Sequence, residues 1–504
     1  MKKFFLLFLG LTFLVFSCSD DDPVIDPGNG NGSNNVTLND PVNDFIWRGL
    51  NSWYNWQEDS ANLADSKDDN QNDYYTFLNG YNDYRDLMYN LCYRHISVVG
   101  AANAVDRYSW FIDDYEEQNN AFQGIRTRFG FTANAVEIEG GFVVVSILLV
   151  EQGSPAEMAG LKRGDIVNAI NGTVMNTGNF SSVYGQLGDE TATLSTVTEE
   201  DGVLTPVEDI TMTKAVVAAN PVHYFKIFND IGGKKVGYLL YNQFSDSYND
   251  ELNAVFADFK AAGIDELVLD LRFNSGGSGL ATTYLGSMIY AQAGTGIMYE
   301  TKFNSKHSQY NSEDRFQDVL QIQNTQLEVI GEEPVNRLNT LNRLYVLTTG
   351  STASASELVI NGLLPYMNSI KLIGTTTSGK NVGSLTLYDT PEIRDYLGEE
   401  YANPSHKYAM QPICIQVFNK DGQSDYINGF EPDIEIDDSL NWNEVLPFGD
   451  RNETLLKAAL DDIEGISSKR ELTKFQLNSK KLDVRSPEDD QEVLNFDHLI
   501  YPRN

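Results

Sequence analysis

The chain has 504 residues, of which 36 are Lys or Arg and 72 are Asp or Glu, so its formal net charge is −36 and its pI is near 4.3. At about 100–200 residues per domain this length predicts roughly three domains, and 41% hydrophobic with 11% aromatic residues excludes global disorder. No Lys- or Arg-rich block interrupts the acidic composition, which argues against a nucleic-acid-binding protein.

Residues 1–17 have the layout of a secretory signal peptide. Two lysines precede an apolar stretch, residues 4–16, that is too short to span a bilayer, and a serine lies just before Cys18. Residues 15–18 resemble the lipobox of bacterial lipoproteins, and the acidic residues that follow resemble an export signal. The resemblance implies that Cys18 is lipidated and anchors the chain to the outer membrane of a Gram-negative bacterium, facing the cell surface or the periplasm. An ordinary signal peptide with an incidental cysteine is the alternative.

The next two segments are predicted to be a tether and a helical domain. Residues 18–40 bury too little apolar surface to order themselves, which predicts a flexible tether. Residues 41–121 carry apolar side chains at helical spacing, which predicts an N-terminal helical domain with an aromatic stripe in its core. The stripe includes Phe45, Trp47, Leu50, Trp53, Tyr54, Tyr84, Leu87 and Leu91.

The two remaining cysteines, Cys92 and Cys414, are predicted to be buried free thiols, since two cysteines do not make a disulfide scaffold. No cluster of cysteine and histidine indicates a metal site.

Residues 122–215 change to short β-type runs separated by Gly and Asp turns, which predicts a β-rich domain. Between two of these runs, residues 154–165 form a short helix with Pro at its start and Gly at its end. This segment resembles the one in PDZ domains of bacterial proteases. The resemblance implies that Phe129, Gly130 and Phe131 form a loop that binds a peptide carboxylate, and that the peptide adds as a strand.

Residues 222–440 alternate strands with amphipathic helices, which predicts a largely parallel sheet covered by helices. The predicted strands are 236–241, 266–271, 344–348 and 370–373, and the predicted helices include 249–262 and 279–291. Residues 441–504 are predicted to be a C-terminal extension with one helix near 452–463 and a polar tail without a motif. The chain is therefore predicted to be a multidomain α/β protein.

Two polar turns of this large domain carry candidate chemistry. Residues 350–358 follow a strand and open a helix, where a serine hydroxyl is exposed beside helix amides that favour developing negative charge. The alternative is that these serines only cap the helix. Lys380 lies between glycines just after the next strand; a lysine in an apolar pocket loses its proton more readily and can act as a general base. A surface lysine in a turn is the alternative.

Together these stretches resemble serine peptidase family S41, the carboxyl-terminal processing proteases. Residues 353–357 match the serine motif of the family, 378–380 its lysine motif, 269–277 its strand-to-glycine turn and 429–434 its closing strand. The resemblance implies an S41 catalytic domain of the ClpP/crotonase-like α/β type, with Ser354 as nucleophile and Lys380 as base. It also implies an oxyanion hole made by the backbone N–H groups of Ala355 and of Gly276 or Gly277.

The same resemblance implies a serine endopeptidase that cleaves exposed C-terminal regions of proteins or peptides, needs no cofactor and uses its PDZ domain to recognise substrate and gate the active site. The glutamine that the family commonly has four residues after the base is Ser384 here, so the orienting partner of Lys380 is open, with Ser384 as a candidate. A catalytically weak peptide-binding or scaffolding lipoprotein of the same architecture is the alternative function. Glycan binding by the aromatic-rich N-terminal zone is a third, based only on Trp and Tyr content.

Overall fold

The computed structural model describes residues 35–466, apart from 291, 293, 295, 340 and 342, together with residues 478–482 and the backbone of 493–495. The predicted signal peptide, Cys18 and residues 18–34 of the predicted tether lie outside the described residues. Within the described part of the chain, no helix combines the length and apolar character needed to cross a membrane.

The N-terminal region is mainly helical, and the side chains of Asp40, Asn70 and Asp83 cap its first three helices. Its elements are α1 (Pro41–Trp53), α2 (Gln71–Leu78), α3 (Tyr84–Leu91), α4 (Ile96–Val99), β1 (Trp110–Ile112) and α5 (Tyr115–Phe122).

The second region is a twisted antiparallel sheet, as its short β-type runs predict. Its elements are β2 (Ile125–Arg128), β3 (Phe131–Ile138), β4 (Phe142–Val150), α6 (Pro155–Met158), β5 (Ile166–Ile170), β6 (Thr173–Val174), α7 (Phe180–Tyr184), β7 (Thr191–Glu200), β8 (Val203–Thr213) and β9 (Ala215–Ala218). The strand order is β3-β4-β5-β7-β8 with β6 on β5, and β2 pairs with β9 where the chain enters and leaves. The short helix predicted within residues 154–165 is α6, with Ser154 as its N-cap and proline at its first position.

The third region contains the large sheet. Its elements are β10 (Val222–Ile231), β11 (Lys234–Tyr241), α8 (Asn249–Ala262), β12 (Glu266–Asp270), β13 (Gly276–Ser278), α9 (Gly279–Ile289), β14 (Ile297–Phe303), β15 (Ser312–Arg315), β16 (Val319–Gln323), β17 (Val329–Pro334), β18 (Arg343–Thr348), α10 (Ala355–Leu363), β19 (Ile370–Gly374), β20 (Val382–Ser384), β21 (Leu387–Tyr388), β22 (Ala409–Gln411), β23 (Ile413–Phe418) and β24 (Ile434–Glu435). The C-terminal elements are α11 (Thr454–Glu464), β25 (Lys480–Leu482) and β26 (Val493–Asn495). Short 3-10 helices are Ala61–Leu63, Asp65–Asp68, Ala101–Asn103, Gly185–Gly188, Asp246–Tyr248, Ser305–Tyr310 and Glu399–Tyr401.

The large sheet has the order β10-β11-β12-β18-β19-β24 and is parallel from β11 onward. This confirms the prediction of a largely parallel sheet. A second six-stranded sheet, β13-β26-β20-β23-β14-β15, was not predicted, and it includes a strand from the C-terminal tail.

The predicted aromatic stripe of the N-terminal region is buried core: the side chains of Phe45, Trp47 and Leu50 are at most 1% exposed. These residues belong to one hydrophobic cluster with Phe256 and Leu285 of the large region. The N-terminal helices are therefore packed on the large region through a shared core.

The other face of the large sheet is covered by α11, whose apolar side chains form a cluster with residues of β11, β12, β18 and β19. Cys92 and Cys414 are buried free thiols, as predicted.

Candidate active site

Three turns meet at one edge of the large sheet. They follow β12, β18 and β19, which are neighbouring parallel strands, and the carboxyl ends of such strands lie side by side. The glycine turn comes after β12, the serine turn after β18 and the lysine turn after β19. The serine turn is therefore central, with the other two on either side.

Hydrogen bonds between main chain and side chains hold the serine turn to the glycine turn. Thr352 Oγ1 donates to the carbonyl of Leu271 at 2.9 Å, and Ser356 Oγ donates to the carbonyl of Asn274 at 3.0 Å. These hydroxyls are buried, so the bonds are protected from water and fix the spacing of the two turns.

Ser354 is the N-cap residue of α10, and its backbone has φ +62° and ψ −113°. A residue with a Cβ rarely adopts positive φ, so this conformation stores strain of about 1–3 kcal/mol. The side chain is 0% exposed, and its Oγ has no hydrogen-bond partner among the described residues. The hydroxyl therefore makes no capping hydrogen bond, although Ser354 and Glu357 have the arrangement of a capping box.

The carboxylate of Glu357 connects the serine turn to the lysine turn. Its Oε2 accepts hydrogen bonds from the backbone N–H groups of Ser354, at 3.0 Å, and of Lys380, at 2.8 Å. Its Oε1 accepts from Gly379 N at 2.7 Å and from Thr377 Oγ1 at 2.5 Å. Burial raises the pKa of Glu357, and these four donors oppose that shift. One buried side chain thus makes the two predicted catalytic residues neighbours.

Lys380 is 0% exposed, which excludes a surface lysine. Its Nζ lies 4.8 Å from the centre of the Tyr108 ring, a cation–π distance. The neighbouring Arg107 donates through Nη2 to the carbonyl of Ile427 at 2.9 Å and to that of Gly379 at 3.3 Å. The N-terminal region therefore supplies a cover over the base.

The predicted oxyanion donors differ in their availability. The amide of Gly276 donates to Asn274 Oδ1 at 2.9 Å, so it is already engaged. Gly277 has φ +136°, and a Cβ there would lie 2.1 Å from the carbonyl oxygen of Phe244, so only glycine fits. Ala355 is the first residue of α10, where an amide has no intrahelical acceptor. Gly277 and Ala355 therefore stay the candidate oxyanion donors.

Ser384 is buried at the end of β20, and its Oγ accepts a hydrogen bond from Gln411 Nε2 at 3.0 Å. The other amide atom of Gln411 accepts from Thr386 Oγ1 at 2.8 Å. The glutamine sits on β22, where it pairs with Trp110 of β1. A glutamine side chain is therefore present next to the position where the family commonly has one, but it comes from another strand.

A buried ion cluster lies under the glycine turn. Arg272 contacts Asp270 at 2.8 Å and Glu453 at 2.7 Å, and it is 2% exposed. Burial alone would raise the pKa of Glu453, but the positive charges of Arg272 and Arg163 lower it to about 2. The Arg272 carbonyl accepts from Thr349 Oγ1 at 2.6 Å, so the cluster also supports the serine turn.

The predicted carboxylate-binding loop lies at the start of β3. The side chains of Phe129 and Phe131 are buried in the core of the second region. Gly130 has φ +86°, and a Cβ there would lie 2.4 Å from Cβ of Ser154. Its carbonyl accepts from the amide of Glu151 at 2.9 Å. The peptide-binding role of this loop stays a prediction.

Sequence reasoning missed two contributors to the site and the role of a third. Glu357 was part of the matched serine motif, residues 353–357, but was given no role of its own. Gln411 and Tyr108 have no local signal because they reach the site from distant segments.

Known proteins include relatives of this chain among proteases. The family model described as "Peptidase family S41" matches residues 235–436. The chain is 29% identical over 250 residues to a carboxyl-terminal-processing protease of Picosynechococcus, covering 49% of this chain and 53% of that protein. It is 26% identical over 313 residues to carboxyl-terminal-processing peptidase 1, chloroplastic, of Arabidopsis thaliana, covering 60% and 58%. The chain thus spans little more than half the length of these relatives.

A solved structure of a putative S41 protease from Bacteroides fragilis is similar over 84% of this chain and 98% of that one, with 28% identity and a TM-score of 0.63. The family match includes the three turns that carry Ser354, Lys380 and the paired glycines. Residues 235–436 therefore match peptidase family S41, and the chain is similar to carboxyl-terminal processing proteases.

Proposed function

We propose that the protein is a serine endopeptidase of the carboxyl-terminal processing type that uses Ser354 and Lys380. The observation that carries this proposal is the Glu357 carboxylate, which accepts hydrogen bonds from the backbone N–H groups of both residues, whose side chains are buried. Removing an ammonium group from water favours its neutral form, which is the form a general base requires.

In the proposed reaction, neutral Lys380 takes the proton of Ser354 Oγ while the oxygen attacks the peptide carbonyl. The negative charge on the carbonyl oxygen is stabilised by the amides of Ala355 and Gly277. Collapse of the tetrahedral species breaks the C–N bond, and the proton passes from Lys380 to the leaving amine. Water, deprotonated by the same lysine, then releases the acyl group and restores Ser354.

The second region is proposed to act as a PDZ domain that binds the C-terminal residues of the substrate. Its β3 begins at Phe131, the last residue of the predicted loop of Phe129, Gly130 and Phe131, where a peptide strand would place its carboxylate. Lipidation of Cys18 and attachment to the outer membrane, on the periplasmic or the outer side, are also proposals, as is the gating of the active site by this domain.

The test compares the unmodified full chain with Ser354→Ala and Lys380→Ala on an unfolded protein substrate. We expect cleavage by the unmodified chain and a loss of at least about a thousandfold in both variants, because the oxyanion donors alone leave only residual catalysis. Ser351→Ala is the matched control, because Ser351 lies in the same turn but is exposed. If cleavage is independent of Ser354, or absent both from the full chain and from a chain that ends at Ile466, the scaffolding alternative replaces the enzyme.

A further inference from the structure

The last described residues of the chain form strands in two separate sheets. Strand β25 adds to the edge of the second region beside β3, and β26 lies between β13 and β20 at the active site. We infer that the C-terminal tail is a built-in inhibitor that occupies both the proposed peptide groove and the substrate channel. The effect on cleavage rests on the proposed function, whereas the binding itself does not.

The first contact has the geometry of a peptide that adds to a sheet edge. Strand β25 is antiparallel to β3, with Lys480 opposite Glu137 and Leu482 opposite Ala135, so the tail runs toward the Phe131 end of β3. The side chain of Leu482 packs on the hydrophobic core of the second region. Main-chain pairing with one apolar anchor is the pattern by which an edge strand binds a peptide.

A side-chain contact also fixes where β25 begins. Ser479, the residue before β25, accepts a hydrogen bond through Oγ from Trp442 Nε1 at 3.1 Å. Trp442 is buried against Val136 and Val144 of the same sheet. The position of this tail segment is therefore set by contacts on both the main chain and the side chains.

The second contact is at the catalytic centre. Strand β26 is parallel to β13, with Val493 opposite Gly276 and Leu494 opposite Gly277, and its Asn495 is also paired with Ser384 of β20. These flanking strands carry a predicted oxyanion donor on one side and the candidate partner of Lys380 on the other. A strand in this place excludes a substrate strand from the same hydrogen-bonding groups. Ser354 and Lys380 are both closed to solvent in this structure.

One cleft extends from the first contact site to the turns of the candidate active site. It has a volume of about 910 Å³ and is lined at one end by Ala135 and Leu482, and at the other by Ser275, Ser351 and Ser378 of the three active-site turns. A peptide that enters this cleft from the groove beside β3 would meet β25 there.

The order of the two segments favours inhibition over self-cleavage. In a substrate held by its C-terminal end, the bond to be cut precedes the residues in the groove. In the tail, the groove segment 480–482 comes before the segment 493–495 at the active site. The tail therefore cannot thread through in the order of a substrate.

The experiment measures binding without requiring catalysis. A fluorescent peptide of residues 478–504 is titrated into two Ser354→Ala proteins, one with the full chain and one that ends at Ile466, after α11. We expect the peptide to bind the shortened protein, and to bind the full chain at least tenfold more weakly. In the full chain the tethered tail competes with the peptide at an effective concentration of about 1 mM. A peptide with Leu482→Asp is the matched control and should bind at least tenfold more weakly.

Equal binding to both proteins, or none to the shortened one, overturns the inference. With Ser354 intact, the shortened chain should cleave an unfolded substrate at least tenfold faster than the full chain. Peptide binding by a shortened chain that cleaves nothing would overturn the proposed function and leave the tail interaction standing. Ser354-dependent loss of the tail from the full chain would make the tail a substrate and overturn its role as an inhibitor.

Discussion

Gln411 donates a hydrogen bond from Nε2 to Ser384 Oγ at 3.0 Å, although the two residues are on different strands. Ser384 is the position where related proteases commonly have a glutamine. A buried serine is too short to replace that side chain alone, but with Gln411 behind it the hydroxyl is held in one orientation. Gln411 is therefore a candidate positioning residue that acts through Ser384.

Replacing Gln411 with leucine should lower kcat by about 5–10-fold, because one buried neutral hydrogen bond contributes about 1 kcal/mol. The pH profile of kcat/KM should also shift, since the orientation of a partner of the base changes. A double-mutant cycle with Ser384→Ala tests whether Gln411 acts through Ser384. If it does, the reductions in kcat caused by the two substitutions should not be additive. Fully additive losses with an unchanged pH profile would show that Gln411 has only a structural role.

Replacing Glu357 with glutamine should reduce kcat at least 100-fold. The glutamine NH₂ group would face backbone N–H donors that now bind a carboxylate oxygen, so the serine and lysine turns would lose a common acceptor. Cleavage rates are measured alongside circular dichroism to verify the fold. A folded Glu357→Gln protein with near-normal kcat would contradict the role assigned to this carboxylate.

The strained backbone of Ser354 is expected to lower the stability of the folded protein. Ser354→Gly should unfold at a higher urea concentration than Ser354→Ala, by about 1 kcal/mol in the free energy of unfolding, because glycine adopts φ +62° without strain. Both variants lack the hydroxyl, so the comparison isolates the backbone. A glycine variant less stable than the alanine variant would rule out strain at this residue.

His307 predicts how stability depends on pH. Its ring is stacked on Trp53 at 3.5 Å, and burial, with a smaller effect of Lys306, lowers its pKa to about 4. Below about pH 6.5 this histidine is protonated in the unfolded chain, whereas the ring in the native protein stays neutral until the pH approaches 4. The free energy of unfolding should therefore decrease as the pH falls from 6.5 toward 4.

For this half-buried ring we expect a loss of about 1 kcal/mol between pH 6.5 and 5, after allowing for solvent screening. His307→Phe keeps the stacking and removes the titrating group. The free energy of unfolding of the unmodified chain minus that of this variant, measured by urea titration at each pH, isolates the contribution of His307. Parallel pH dependences of the two proteins would show that His307 stays neutral in both states.

The sequence by itself determined the elements and motifs whose information is local. Helix α8 was predicted at its observed bounds, and the strands before the three active-site turns were predicted within a few residues. Hydrophobic periodicity and turn residues can be identified from short stretches of consecutive residues. Ser354, Lys380 and the paired glycines were recognised for the same reason. Each lies in a short motif at the end of a strand.

Only the tertiary structure decided how those motifs are joined. The Glu357 carboxylate binds two turns, Gln411 reaches Ser384 from another strand, and Tyr108 covers Lys380 from the N-terminal region. The tail, which showed no motif, became two strands because pairing with a sheet edge depends on main-chain groups that every sequence carries. Contacts between segments far apart in the chain leave no local pattern, so the packed fold was needed to reveal them.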